Sequence, residues 1–137
     1  MKKGSALIIV VCLLALFSVA AVLFTKIVYN CYATANAALM KEQAFYLAEA
    51  GVEKGKVELA NNRNWYTDLP YYLEDNLQWL AYYAVGQSTD LGDGSFKIVR
   101  EKDKALFYSI GYKDDSFVVL KLKFSTPPFK ELGWEEL

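Results

Sequence analysis

The chain predicts an α+β fold in which one long N-terminal helix packs on a small antiparallel β-sheet. Three observations carry this. The first proline is Pro70 and no glycine falls between Ser5 and Ala50, so nothing there forces the backbone out of a helix. Apolar residues recur at helical spacing as far as Leu59. Beyond Gly94 the period changes to two, in three runs rich in β-branched and aromatic residues with short Asp-containing connections between them.

The helix divides by composition. Residues 5–25 carry no charge, and at about 1.5 Å per residue they extend roughly 30 Å, the thickness of a bilayer's hydrocarbon core. This segment reads as a transmembrane helix in contact with lipid. Lys2 and Lys3 precede it, and the positive-inside bias puts them in the cytoplasm and the rest of the chain outside. The apolar run is longer than a signal peptide's. Ala33 and Ala35 form an A-x-A pattern, but beyond Lys26, Asn30 and Tyr32, which argues against ordinary signal-peptidase cleavage. Cys12 and Cys31 lie about 28 Å apart along the helix and cannot pair within one chain. Cys12 reads as a small hydrophobe, and Cys31 lies where it could meet another copy's thiol.

Residues 26–60 read as an amphipathic continuation. Phe45, Ala48, Val52, Gly55 and Leu59 fall on one stripe that should face a sheet. Ala44, Ala48, Gly51 and Gly55 add a ridge of small residues beside it, where another backbone can approach closely. Glu49, Glu53, Lys54 and Glu58 read as a solvated face, with Lys54 reaching Glu58.

Asn61 and Asn62 end the helical pattern, and residues 61–94 read as a connector with one short helix. Tyr71 to Val85 supplies that helix, with Leu73, Leu77 and Leu80 at helical spacing and Gly86 as its stop. Its aromatics Tyr71, Tyr72, Trp79, Tyr82 and Tyr83 suit a cover for a small core better than a sugar-stacking face. Gln87 to Gly94 reads as a turn-rich loop. The antiparallel meander occupies 95–126, as Ser95–Lys102, Ala105–Tyr112 and Ser116–Thr126. Pro127 and Pro128 stop the last strand and leave 127–137 as a tail.

Composition narrows the chemistry. In 137 residues there is no His, which removes His-dependent triads and most zinc sites. A net charge of −1 gives no basic field for nucleic acid. Asp90 and Asp93 flank Gly92 but lack the ligand ladder of a calcium loop. The carboxylate pairs Glu74–Asp75 and Asp90–Asp93 sit in polar segments with nothing to raise a pKa, so no enzyme, metal site or cofactor is expected.

The order of elements, a spanning helix, its amphipathic continuation and a small antiparallel sheet, resembles the type IV pilin and pseudopilin family. KKG/SALIIV looks like a prepilin leader, residues 1–4, in which Lys2 and Lys3 are the leader charges. The resemblance implies that a prepilin peptidase cuts between Gly4 and Ser5 and that the new amine is methylated. QAFYLAEAGVEKG is similar to the A-x-x-x-A-E-A-G motif of PilX-like minor pilins, with Ala44, Ala48, Glu49, Ala50 and Gly51 in register. Counted from Ser5, the fifth position is Ile9, where major pilins carry a Glu that meets a neighbour's amino terminus. The absence of that Glu is similar to tip-proximal minor subunits, whereas the large extra domain of K-type pseudopilins has no room here.

What the resemblance implies is a structural minor subunit of a type IV pilus or type II secretion pseudopilus, acting in filament initiation or at the tip. Its partners would be other pilin or pseudopilin subunits, the prepilin peptidase, the inner-membrane assembly platform and, before assembly, membrane lipid. Its place would be the bacterial inner membrane and then an extracellular or periplasmic filament. The alternative is a single-pass membrane protein whose outer domain binds a ligand or partner without entering a filament.

Overall fold

In a computed structural model, residues 2–69, 76–125 and 130–137 are described, with Lys2 and Lys3 as backbone alone. The chain divides into two compact units, Met1–Ala38 and Leu39–Leu137. The fold is α+β, as the sequence predicts: a long N-terminal helix whose second part packs on an antiparallel sheet.

Helix α1 runs from Lys2 to Asn61. It ends where the two asparagines predict. The Asn62 amide bonds the Glu58 carbonyl at 2.8 Å, and the Asn62 side chain accepts from the Asn64 amide at 3.0 Å, an Asx turn that gives the backbone an alternative to another helical turn. In the first unit every described side chain is exposed. From Leu39 onward α1 has a buried face formed by Ala44, Leu47, Ala48, Gly51, Val52, Gly55 and Leu59.

The sheet is a five-stranded antiparallel meander, β1 (Gln87–Leu91), β2 (Gly94–Val99), β3 (Leu106–Lys113), β4 (Ser116–Ser125) and β5 (Lys130–Glu136), in sequential order. The three central strands are those the alternation predicts. The outer two correct the sequence reading. Gln87–Leu91 pairs with β2 instead of forming a loop, and most of the expected tail pairs with β4 as β5. Gly92 and Asp93 form the two-residue turn before β2, and Asp114 and Asp115 the one before β4. Positive φ at Gly92, Asp103 and Asp114 fits the tolerance of Gly and Asp for left-handed backbone.

Both faces of the sheet are covered. Phe96, Ile98, Phe107, Val118, Leu120, Leu122 and Phe124 pack under α1. Val99, Tyr108, Ile110 and Val119 pack on the other side against Leu80, Ala81 and Ala84. Those three belong to the short helix α2 (Leu77–Tyr82) and the residues just after it. Asn76 caps α2 by accepting from the Trp79 amide at 3.0 Å. The predicted helix thus begins later than Tyr71, and Gly86, with φ +58°, lies beyond its end at the entry to β1. Residues 70–75, with Tyr71, Tyr72, Leu73 and the Glu74–Asp75 pair, lie outside the described residues, as do Pro127 and Pro128.

Candidate functional site

The first part of α1 is long and apolar enough to cross a membrane, and none of its most apolar stretch is buried in protein. Three of its hydroxyls have backbone partners. Ser18, Thr25 and Thr34 each donate to the carbonyl four residues earlier, at 2.8, 2.9 and 2.9 Å. Such bonds keep these hydroxyl protons paired in an apolar surrounding. Cys12 and Cys31 are free and exposed.

Gly4, Ser5 and Ile9 are exposed members of the same helix. A Cβ placed on Gly4 would meet nothing within 4 Å. The helix begins at Lys2, so the Gly4–Ser5 bond lies in its first turn. That turn is easily opened. The first four amides of a helix have no intrahelical partner, and Gly4 is a weak helix former.

The expected packing stripe is present with its centre moved. Ala48, Val52, Gly55 and Leu59 are buried, while Phe45 sits at the margin of the cluster, with its ring centre 6.2 Å from that of Trp134. The centre of the contact is the small-residue ridge. A Cβ on Gly51 would collide with the Ser109 hydroxyl and come within 2.9 Å of the Phe96 ring. One on Gly55 would stand 2.7 Å from the Phe107 ring. From the other side, a Cβ on Gly111 would strike the Ala44 carbonyl and approach the Ala48 amide to 2.5 Å. The Ser109 hydroxyl donates to the Ala48 carbonyl at 2.6 Å, one directional bond in an otherwise apolar seam.

The motif residues therefore divide. Ala44, Ala48 and Gly51 are buried at this seam, Ala50 is half-buried at its edge, and Glu49 is exposed. Sequence reasoning misses Leu47, Ser109 and Gly111 as parts of the contact. The available signal is Phe107-x-Ser109-x-Gly111, a period-two series of falling size opposite Gly55, Gly51 and Ala44. It matches the taper of the helix ridge.

The charges on α1 also do more than face solvent. Lys54 turns away from Glu58 to donate to the Thr89 hydroxyl at 2.7 Å, with its ammonium 5.8 Å from the Phe96 ring centre. Lys56 pairs with Glu53 at 2.8 Å and with Glu131 at 3.0 Å. The hydrogen bond to Glu53, more than the contacts with Glu131, holds the Lys56 pKa above its ordinary value against the opposing effect of burial.

On the opposite face, buried polar groups fix the connector. Asp68 accepts from the amides of Val85 and Gly86 at 3.0 and 2.8 Å. Lys97 donates to the carbonyls of Ala81 and Ala84 at 2.8 and 3.0 Å. Burial lowers the Lys97 pKa, and the charge of Asp68 opposes the shift. Back on the α1 side, the Arg100 guanidinium lies over the Phe124 ring and bonds the carbonyls of Arg63, Trp65 and Lys104. Burial likewise lowers its pKa.

Asp90 and Asp93 are exposed on β1 and its turn. Among the described residues, no three His, Cys, Asp or Glu side chains are grouped to hold a metal ion. What the arrangement offers is an exposed apolar helix and a close helix–sheet seam. No protein-family model, curated protein or solved structure matches the chain.

Proposed function

We propose that this chain is a minor structural subunit of a type IV pilus or type II secretion pseudopilus, acting in filament initiation or at the tip. The observation that carries the reading is the two-part character of α1. Residues 4–39 are exposed along the whole circumference of the helix, and residues 44–59 bury a ridge of small residues against a sheet. An exposed apolar helix needs lipid or other apolar helices around it. Insertion in the inner membrane, with Lys2 and Lys3 on the cytoplasmic side, meets that need before assembly, and the helical core of a filament meets it afterwards. Prepilin peptidase, the assembly platform and other pilin or pseudopilin subunits are the partners this requires.

Ile9 bears on the position in the filament. A shaft subunit must neutralise the neighbouring mature amino terminus inside an apolar bundle, because a buried unpaired charge is costly. An isoleucine supplies no charge for that. A tip or initiating subunit has no such neighbour to serve, so the protein should be scarce in filaments.

The deciding experiment is the N-terminal mass after co-expression with a prepilin peptidase. Cleavage between Gly4 and Ser5 is expected, and mass spectrometry of sheared filaments should find the chain well below the major subunit. An intact N-terminus would reject the filament reading and favour a membrane-anchored protein whose outer domain binds a partner.

A further inference from the structure

Strand β5 differs from the rest of the sheet. All seven of its residues are exposed, and none belongs to either core cluster. Beyond its ladder with β4, it is held by charges and by the contact of Trp134 with Phe45. Glu136 pairs with Lys41 at 3.1 Å, Glu131 with Lys56 at 3.0 Å, and Glu135 lies 3.7 Å from both Lys121 and Lys123. The ladder slips between Lys123 and Phe124, and a cavity of about 40 Å³ lies among Trp134, Leu120 and Val52. The Lys41–Glu136 and Lys123–Glu135 pairs are largely exposed, so they hold weakly and are screened by salt. Opening β5 therefore costs edge hydrogen bonds, a few ion pairs, the Trp134–Phe45 contact and the packing of the adjoining Leu137, while the buried residues of both core clusters stay in place.

What opening uncovers is specific. The edge of β4 from Leu120 to Ser125 becomes a row of unpaired backbone groups flanked by Lys41, Lys56, Lys121 and Lys123. It suits an extended segment with three acidic positions and an aromatic ring to lie beside Phe45. We propose that β5 is an exchangeable strand, and that the uncovered edge of β4 takes the β5 of a second copy. The second copy is the occupant because its Glu131, Trp134, Glu135 and Glu136 reproduce every contact in the same register. Self-paired and exchanged states then have the same contacts, so local concentration sets the balance between them. The inference stands apart from the filament reading, since it requires only two copies in proximity.

The test uses the full chain in lipid vesicles with Cys12→Ser and Cys31→Ser. One preparation carries Ser125→Cys and another Lys130→Cys, positions opposite each other on β4 and β5 and outside both cores. After mixing and mild oxidation, disulfide dimers containing both preparations should exceed by about tenfold those from Ser125→Cys mixed with Asp115→Cys, an exposed turn position. The yield should rise with salt and with protein density. No excess over the turn control overturns the proposal. Amide exchange on the unsubstituted chain is a second check: β5 amides should exchange about a hundredfold faster than those of β3, and equal rates would also overturn it.

Discussion

The two faces of the sheet are built by different physics. Under α1 the contact is steric: Gly51, Gly55 and Gly111 stand where a methyl group would strike the opposing chain, and one hydroxyl bond sets the register. On the other side a six-residue helix is too short to hold itself, and buried Asp68 and Lys97 tie its flanking connectors in place through backbone groups. The first face tolerates no added atoms. The second tolerates no unpaired polar group, because a lone buried charge costs more than the pair contributes.

The steric face should give the largest effect. Gly111→Val forces α1 off β3, and we expect a loss of at least about 3 kcal/mol, seen as a large fall in Tm for the full chain in detergent. If Tm is unchanged, the close seam is wrong. Val52→Asp comes next, because it buries an unpaired carboxylate in the same contact at a cost of a few kcal/mol. An unaltered urea midpoint would remove Val52 from the core.

On the polar face, Asp68→Ala leaves the amides of Val85 and Gly86 and the charge of Lys97 without their partner, for a loss of about 2–3 kcal/mol. Replacing the cation itself is milder. Lys97→Met restores apolar volume but leaves the Ala81 and Ala84 carbonyls without this donor, so it should cost about 1–2 kcal/mol. The comparison fails if the order of these two variants is reversed in denaturant titrations.

The smallest effect is a pH profile with two arms. Lys97 has its pKa lowered by burial, so between that value and 10.5 the unfolded chain binds more protons and stability rises with pH. Tyr112 is shifted the other way, first by burial and then by the charge of Tyr82, while its hydroxyl donates to the Ala81 carbonyl at 2.5 Å. Above its ordinary value of 10.0 the unfolded chain has lost this proton and the folded chain keeps it, so stability falls. Tyr112→Phe should abolish the falling arm and Lys97→Met the rising one, as read from urea midpoints across the alkaline range. A profile unchanged by both substitutions would show that neither group couples to folding.

The long helix, its asparagine stop and the three central strands were determined by sequence alone. They depend on local chemistry: the absence of proline, the alternation of side chains that face opposite sides of a sheet, and Asp or Gly where the turns need them. The Ala44–Gly51 ridge was legible as a place of close approach. What it approached was decided only by tertiary structure, since Phe107, Ser109 and Gly111 acquire meaning through sizes that match residues more than fifty positions away. The same holds for β1 and β5. QSTDL and KELGWEE are too polar and too exposed to declare themselves as strands, and they become strands because β2 and β4 offer unpaired backbone edges. Lys54 shows the limit most simply: helical spacing offered it Glu58, and the fold placed Thr89 and Phe96 within closer reach.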